Sequence, residues 1–174
     1  MKIVESWLRE WVDPDLDSNA LEHQLTMLGL EVDGVDKEGA GLDGVIVAEV
    51  LEVGKHPDAD RLSVCKVNAG SEETIDVVCG APNVTAGMKS PLAVPGVTLP
   101  NGIKLRKSKI RGVVSNGMLC SAVELGLGEE SDGILALPDD APAGMPLTDY
   151  LGLPDTVFDL DLTPNRGDCF SVLG

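Results

Sequence analysis

The chain has 174 residues, and its 29 Asp and Glu against 13 Lys and Arg give a formal net charge of −16. This length allows one large domain or two small ones, and 43% hydrophobic residues are too many for a disordered chain. A generic nucleic-acid wrapper would be basic, so the charge argues against that class of protein. Charged side chains throughout residues 1–15 exclude a signal-peptide core, and we find no apolar run long enough to span a membrane.

The cysteines point to a reduced compartment. Cys65, Cys79, Cys120 and Cys169 lie far apart and include no CxxC pair, so their spacing indicates no disulfide framework. We therefore expect a cytoplasmic protein with free thiols. A nucleophilic site that used Cys79 or Cys120 with His56 as its base has no local sequence signature here, so we expect no catalytic residue.

The aromatic residues divide the chain into three parts. They are Trp7, Trp11, Tyr150, Phe158 and Phe170. None of them lies in the central part, where glycine and proline are concentrated instead. We therefore predict that residues 39–148 form a turn-rich module, inserted into a separate small domain built from the two flanks, 1–38 and 149–174.

The first flank predicts two helices and a short strand. Residues 5–12 place Trp7 and Trp11 at i, i+4 spacing on one apolar face. Ser18 can cap a second helix, which Gly29 would end in a left-handed conformation. The inward positions of that helix are Leu21, Leu25 and Leu28, and a strand with Leu30, Val32 and Val35 follows.

The central part has the pattern of a β domain, because short apolar runs alternate with Gly and Pro turns. The predicted strands cover 44–53, 61–67, 74–79, 89–96, 97–100, 103–111, 117–120 and 133–138. Pro91 lies inside one run, which predicts an edge strand or a bend there. Residues 81–87 and 121–127 are candidates for short helices. A sandwich and a small barrel both fit, and a five-stranded barrel with a short helix is the oligonucleotide-binding (OB) pattern.

The second flank predicts a helical turn at 147–153 and a half-buried strand at 157–162. Asp168 can cap a further helix that begins at Cys169. We expect the two flanks to pack together around their large apolar side chains. These side chains are Trp7, Trp11, Phe158 and Phe170.

Five of the eight residues from 104 to 111 are basic, the only such cluster in this acidic chain. They are Lys104, Arg106, Lys107, Lys109 and Arg111. The alternation of apolar and basic residues changes phase there, which predicts a bulge at Arg106–Lys107 that turns bases outward on both faces. Such a stripe suits phosphate contacts, but lysines also protect a sheet edge against aggregation. The residues alone leave both interpretations open.

The segment HPDADRL (56–62) interrupts a predicted strand with turn residues. It could be a polar loop that faces a ligand, although a plain turn is the simpler interpretation. A metal site would use His56, Asp58 and Asp60. Because this set lacks a second His and a nearby Cys pair, we expect no metal ligand here.

The segment RGVVSNGMLC (111–120) contains Asn116-Gly117, a strong signal for a tight turn. Ser115 and Asn116 supply a hydroxyl and an amide that could meet a sugar or a base edge. The alternative is a plain turn followed by a core methionine, Met118.

The central part has no aromatic ring on which an unpaired base could stack. If this part binds RNA, it must recognise backbone and shape, so a folded RNA such as tRNA fits better than an unpaired strand. We expect no contact with DNA or with a membrane.

Several motifs resemble known families. The runs VAEVLEVGKHPDADRLSVCKVN (47–68), VVCGAPNV (77–84) and KIRGVVSNGMLCSAVELGL (109–127) resemble the tRNA-binding OB domain shared by several synthetases and free-standing tRNA-binding proteins. MKIVESWLREWV at the start of the chain and LTPNRGDC (162–169) resemble the amino-terminal region of the bacterial phenylalanyl-tRNA synthetase beta subunit.

The resemblance implies a mostly β, α+β chain, in which a five-stranded OB barrel (39–148) is inserted into a small helical domain built from 1–38 and 149–174. It also implies a tRNA-binding accessory module that contributes to the aminoacylation of tRNA(Phe) with phenylalanine. The family's enzyme is a class II ligase of α₂β₂ composition that uses ATP and Mg²⁺. Its partners would be tRNA, the alpha subunit and the remainder of the beta subunit. Its catalytic, editing and Mg²⁺-binding residues lie elsewhere, so we expect this chain to hold no cofactor and to be non-catalytic.

The family's RNA-facing motif corresponds here to Lys109, Arg111, Ser115, Asn116, Gly117 and Met118, and its turn motif to His56, Pro57, Ala59, Asp60 and Leu62. With the other bases of the cluster, the expected RNA-binding residues are Lys104, Arg106, Lys107, Lys109, Arg111, Ser115, Asn116, Gly117, Met118, His56 and Asp60. Two alternatives stay open. One is a free-standing tRNA-binding protein or chaperone, and the other is a structural assembly module that makes no RNA contact.

Overall fold

The computed structural model describes residues 1–129 and 131–169, which divide into two compact units. Unit 1 combines Met1–Glu38 with the chain from Pro154 onward, and unit 2 is Gly39–Leu153. The expected mixture of helices and strands, with strands predominating, is confirmed.

The elements follow one another along the chain in this order: β1 (Lys2–Val4), α1 (Glu5–Trp11), α2 (Ser18–Met27), β2 (Glu31–Glu38), β3 (Val45–His56), β4 (Ala59–Asn68), β5 (Thr74–Cys79), β6 (Lys89–Ala93), β7 (Ser108–Ile110), β8 (Val113–Ser115), β9 (Met118–Leu119), α3 (Ala122–Leu125), α4 (Leu147–Leu151) and β10 (Asp155–Asp161). A 3₁₀ helix at Pro164–Cys169 follows β10. The predicted helix after Cys169 lies outside the described residues.

A three-stranded antiparallel sheet organises unit 1, and its strand order is β1-β10-β2. The expectation of a small helical domain is not confirmed, because the strand from the second flank pairs on both sides with strands from the first and the sheet organises the unit. Phe158 in β10 lies opposite Ile3 on one side and Val35 on the other. The alternating apolar residues that predicted short strands in both flanks lie in β2 and β10 of this sheet.

The core of unit 1 lies between this sheet and the helices, but it excludes both tryptophans. Its buried residues are Ile3, Leu21, Leu25, Phe158 and Leu160. Trp7 and Trp11 are 61% and 65% exposed, so the predicted aromatic core is wrong, and Phe170 lies outside the described residues. The reason is a charged pair on the opposite face of α1. Glu5 is buried and accepts a hydrogen bond from Arg9 at 2.8 Å, and Arg9 also donates to the main-chain oxygen of Leu16.

Helix α2 ends as predicted but is capped one residue earlier than expected. The carboxylate of Asp17, rather than Ser18, accepts the hydrogen bond from the Ala20 amide. Gly29 has φ of +85° and ends the helix, a conformation in which a residue with a side chain would be strained. Leu21 and Leu25 are buried as predicted, whereas Leu28 is exposed.

Unit 2 is built on a five-stranded antiparallel sheet with the order β5-β4-β3-β6-β9. The long β3 lies at the centre and pairs with β4 and β6. The expectation of a closed barrel is wrong, because no ladder of backbone hydrogen bonds joins the edge strands β5 and β9 among the described residues. Two single hydrogen bonds connect β5 to the segment before β9 instead. The Val78 amide donates to the side-chain oxygen of Ser115, and the Asn116 amide donates to the main-chain oxygen of Asp76.

Several predicted strands of unit 2 are shorter than expected or absent. Residues 97–100 and 133–138 make only isolated bridges, and 103–111 contributes only β7 and one bridge. Pro91 is not on an edge strand, because β6 lies between β3 and β9, and its carbonyl accepts from the Cys120 amide. Residues 81–87 contain turns rather than a helix. The helix candidate at 121–127 is confirmed as α3, which Ser121 caps.

Two buried clusters stabilise unit 2. One contains Leu42, Val45, Val47, Ala93, Val97, Leu99, Cys120, Leu125, Ala141 and Leu147. The other contains Ala48, Val50, Cys65, Val67, Val77, Cys79, Leu92, Leu119 and Ile134. Alternate residues of β3 contribute to both clusters, so this strand holds the two halves of the core together.

The exposure of Trp11 and the complete burial of Phe158 predict very different costs of truncation. Phe158→Ala should lower the free energy of unfolding by about 3–5 kcal/mol, the usual range for a buried aromatic residue. Trp11→Ala should change it by less than about 1 kcal/mol, as for other surface substitutions. Urea denaturation of both variants checks this, and equal losses would contradict the assigned faces of α1.

The buried Glu5 predicts an acid-sensitive unit 1. Burial alone would raise its pKa, but hydrogen bonds from Ser18, Arg9 and Thr156 more than offset this and hold the pKa of Glu5 below its ordinary value of 4.5. The unfolded chain then binds the proton more readily. The stability that ionised Glu5 contributes through these hydrogen bonds is therefore present above about pH 4.5 and is lost as the pH falls further. Glu5→Gln should make the melting temperature less dependent on pH in this acid range than it is in the parent chain.

Candidate functional site

The basic segment, which we define as residues 104–111, presents its charges to solvent. The side chains of Lys104, Arg106, Lys107, Lys109 and Arg111 are all exposed. None of them forms a salt bridge with another residue within 1–129 or 131–169. Lys66 and Lys89 on the main sheet behave differently, since they pair with Glu52 and Glu49 at 2.9 and 3.1 Å. The segment is thus a local concentration of uncompensated positive charge.

The segment changes conformation at its middle, which replaces the predicted bulge. Arg106 and Lys107 lie outside any strand, and β7 begins only at Ser108. The hairpin β7–β8 turns at Arg111-Gly112, where both residues have positive φ, +44° and +92°. Positive φ at both central positions matches the tight turns that join twisted strands. Arg111 is the one residue other than glycine with positive φ in the described chain.

His56 joins the turn segment HPDADRL to this hairpin. Its ring is buried, and Nδ1 accepts a hydrogen bond from the Asp58 amide at 3.1 Å. Nε2 therefore carries the proton and donates it to the main-chain oxygen of Ile110, also at 3.1 Å. Arg111 adds a second link, because its guanidinium donates to the main-chain oxygen of Asp58. Both ring nitrogens of His56 are thus occupied within the protein.

The interpretation of HPDADRL as a turn is confirmed, because residues 57 and 58 connect the hairpin β3–β4. Asp60 follows on β4 with an exposed side chain. Among residues 1–129 and 131–169, no group of three or more His, Cys, Asp or Glu side chains is placed to hold a metal ion. His56, Asp58 and Asp60 therefore do not converge as a metal site.

The segment Ser115–Met118 connects two sheets and makes no tight turn. Ser115 is buried, accepts from the Val78 amide at 3.0 Å and donates to the main-chain oxygen of Gly117 at 2.9 Å. A Cβ on Gly117 would lie 2.9 Å from Leu92 and 3.0 Å from the main-chain oxygen of Ala93, so glycine is required by this close approach. The expected Asn-Gly turn is thus corrected to an extended crossing from β8 to β9.

A cleft of about 480 Å³ adjoins the basic segment within unit 2. Its lining includes Arg106 and Ser108 of the basic segment, Ser115 and Met118 from the segment that follows it, and residues 131–134. Of the expected RNA-binding residues, the structure therefore brings Arg106, Ser115, Gly117 and Met118 to this cleft, whereas Lys104, Lys107, Lys109, Arg111 and Asn116 do not line it. The turn residues Pro57, Asp58 and Asp60 do not line it.

Asn83, which the sequence reasoning missed, does not line this cleft but holds Ile134, which does. Its amide nitrogen donates to the main-chain oxygen of Ile134 at 2.8 Å, and its amide oxygen accepts from the Ile134 amide at 3.0 Å. A Cβ on Gly133 would lie only 2.3 Å from Asn83, so the loop passes directly over it. The available signal was the Asn of the CGAPNV motif, but nothing local identified its partner.

The buried cysteines do not form a nucleophilic site. Burial, reinforced by Cys79, raises the pKa of the Cys65 thiol to about 11, and burial together with the charge of Glu124 raises that of Cys120 to about 12. Burial also raises the pKa of Cys79. These thiols stay protonated at neutral pH, and His56 is engaged elsewhere.

No helix in the described part of the chain combines the length and the apolar character needed to cross a bilayer.

A known protein family matches the part of the chain that contains this candidate site. The sequence model of the family described as "Putative tRNA binding domain" matches residues 45–146. That span contains the basic segment, the HPDADRL turn and the cleft.

Curated relatives match over the whole chain. The phenylalanine–tRNA ligase beta subunits of Pseudoalteromonas translucida and Shewanella oneidensis are 56% and 55% identical over 174 residues, and that of Methylococcus capsulatus is 51% identical. The match covers 100% of this chain but 22% of each relative, so the chain spans about a fifth of their length. The resemblance to the beta subunit is confirmed by these identities.

Two solved structures share partial similarity. The C-terminal domain of Plasmodium vivax p43 is 28% identical with a TM-score of 0.42, and the match covers 57% of this chain and 56% of that one. A methionyl-tRNA-synthetase-related protein from Pyrococcus horikoshii is 24% identical with a TM-score of 0.43, and the match covers 58% of this chain and 85% of that one.

The buried hydroxyl of Ser115 predicts a measurable stability cost for its removal. Ser115→Ala leaves the amide of Val78 without its acceptor, which should cost about 1–3 kcal/mol of unfolding free energy. Ser108→Ala is the matched control, because Ser108 is exposed and lies directly opposite Ser115 in the hairpin. Urea denaturation and hydrogen exchange at the Val78 amide check this, and equal behaviour of the two variants would contradict the bridging role.

Proposed function

Because the chain belongs to the tRNA-binding domain family, we propose that residues 39–148 bind tRNA and that the basic segment is the main contact. The observation that carries the proposal is the run of five exposed cations that form no salt bridge among the described residues. Cations of this kind bind phosphates and release counterions when they do so. The rest of unit 2 supplies the support that holds them.

The expected site residues have different roles in this proposal. Lys104, Arg106, Lys107, Lys109 and Arg111 contact phosphates. Asn116, Met118 and Asp60 are partly or fully exposed and lie at the edge of the contact. His56, Ser115 and Gly117 act as positioning residues, because their side chains or close packing are used inside the protein.

For the larger protein, we propose that this chain is part of a phenylalanine–tRNA ligase beta subunit, as its curated relatives are named. The reaction would join phenylalanine to its tRNA in the cytoplasm, with ATP and Mg²⁺ bound elsewhere in an α₂β₂ enzyme. The chain itself would contribute tRNA contacts without a cofactor or catalytic residue. Its partners would be tRNA, the alpha subunit and the remainder of beta.

We further propose that the flanks, 1–38 with 149–174, form the domain that docks onto the remainder of the enzyme. The two exposed tryptophans of α1 support this, since large apolar side chains are enriched at protein interfaces. A structural assembly module without RNA contact is the second candidate, favoured by the same exposed face and the net charge of −16. A free-standing tRNA-binding chaperone is the third, and the length of the intact gene would distinguish it.

The salt dependence of tRNA binding tests the main proposal. The double change Lys107→Ala with Lys109→Ala should weaken binding at low salt and reduce the slope of log affinity against log salt by about 1.5. The effect should be the same for any tRNA, because phosphate contacts carry no sequence information. Filter binding at several salt concentrations measures both quantities.

The control is Lys2→Ala with Lys37→Ala, which removes the same charge from exposed positions in unit 1. This pair should leave the slope within about 0.3 of the parent value, since it makes no phosphate contact. Equal slopes in both double variants would contradict the assignment to the basic segment. Absence of tRNA binding by the parent chain would favour the assembly module.

A further inference from the structure

The cleft beside the basic segment is lined in part by apolar side chains and carboxylates, which do not bind phosphate. Its volume of about 480 Å³ lies within the range of small-ligand sites. Arg106 belongs both to the cleft and to the basic segment, so a nucleic acid bound along the segment passes its mouth. A group that entered the cleft would therefore be attached to a phosphate held outside.

The cleft is lined by aliphatic side chains, by serine hydroxyls and by two carboxylates, with Arg106 as its one cation among the described residues. Leu62, Pro82 and Leu105 contribute apolar walls, and Glu124 and Asp132 contribute carboxylates. Two carboxylates disfavour the entry of a phosphate, because like charges repel in a partly enclosed site. They favour a flat, largely apolar group that carries hydrogen-bond donors.

Glu124 is held in a fixed orientation. Its Oε2 atom accepts from the amide of Ser121 at 2.7 Å and from the Ser121 hydroxyl at 3.0 Å. No hydrogen bond from any described residue reaches Oε1. A carboxylate oxygen accepts up to two hydrogen bonds, so Oε1 keeps its full capacity. Its charge acts within the cleft wall, where it raises the pKa values of both Cys79 and Cys120.

We propose that the cleft takes one unpaired nucleobase that carries an exocyclic amino group, with Glu124 Oε1 as the acceptor. This rests on the proposed tRNA binding and adds a base contact to it. Extruded bases are held between apolar or aromatic side chains and read along their hydrogen-bonding edge. The aliphatic walls replace the aromatic platform that unit 2 lacks. Cytosine, adenine and guanine offer an exocyclic amino group to Glu124, whereas uracil has a carbonyl oxygen in the place of the amino group of cytosine and only its ring N3–H as a donor.

Cytidine and uridine monophosphate provide a direct test on the full 174-residue chain. The two nucleotides have the same size and phosphate, and they differ at the group that would meet Glu124. We expect cytidine monophosphate to bind about tenfold more tightly, the effect of one hydrogen bond to a charged group. Titration followed by amide NMR should shift the signals of Ser121, Glu124 and Gly133.

The substitution Glu124→Gln provides a second test that should reverse the preference. Glutamine preserves the capping of α3, because Glu and Gln serve equally at this position. Its side-chain amide would keep its oxygen on Ser121 and present NH₂ to the cleft. Cytidine monophosphate should then lose about tenfold in affinity, while uridine monophosphate gains. Glu72→Gln is the matched control, since Glu72 is exposed and outside the cleft, and it should change neither affinity.

The outcomes separate this inference from the proposed function. Equal affinity of the parent chain for the two nucleotides, or no binding at 10 mM (roughly the weakest affinity worth counting), would overturn the base site. The salt-dependent binding of tRNA through Lys107 and Lys109 could still hold in that case. Loss of tRNA binding altogether would overturn the proposed function, while nucleotide discrimination would still establish the cleft as a base site.

Discussion

A buried imidazole fixes the position of the exposed charges. The hairpin β7–β8 forms a separate two-stranded sheet, and such a hairpin is only marginally stable alone in water. It is attached to the main sheet through His56, which donates to Ile110, and through Ser115, which accepts from Val78. Without these contacts the cations would lie on a mobile loop, and ordering them on binding would cost conformational entropy. With them, the positive charges are arranged before any ligand arrives.

The same attachments explain why the five-stranded sheet stays open. A closed barrel would need a continuous ladder along β5, but the Val78 amide is taken by the hydroxyl of Ser115 instead. The chain then crosses to β9 through Gly117, which lies against β6 too closely for any side chain. Ser115 and Gly117 of this crossing line the cleft, and so does Ile134, which Asn83 holds in place. The same crossing from β8 to β9 therefore accompanies the open sheet and lines the cleft.

Local patterns in the sequence predicted most of the elements and failed where partners are distant. The apolar runs found β3, β4, β5 and β10, and the helix candidate at 121–127 corresponds to α3. The spacing of Trp7 and Trp11 correctly predicted a helix but not its buried face. That face depends on Arg9 reaching the carbonyl of Leu16, which periodicity cannot detect.

The sequence identified the residues that lie at the candidate site, but it did not identify what His56 and Ser115 do there. The basic residues were identified because charge and exposure go together in a single strand-like run. His56 and Ser115 were expected to face RNA, but their hydrogen-bond partners lie 54 and 37 residues away. The predicted bulge failed because β7 begins only at Ser108, so Arg106 and Lys107 lie outside any strand.

The large negative charge of the chain limits how an RNA can approach. Charges further apart than about 8 Å are largely screened at physiological ionic strength, so the basic segment acts on phosphates mainly at close range. Lys66 and Lys89 of the main sheet pair with glutamates, whereas Lys55 in β3 and Arg61 in β4 are exposed and form no salt bridge among the described residues. The unpaired positive charge of unit 2 therefore lies on the basic segment and on the β3–β4 hairpin, which His56 joins to it. In the proposed complex, an RNA would meet the chain through the basic segment and the cations beside it, because the net charge of −16 disfavours phosphate contact elsewhere.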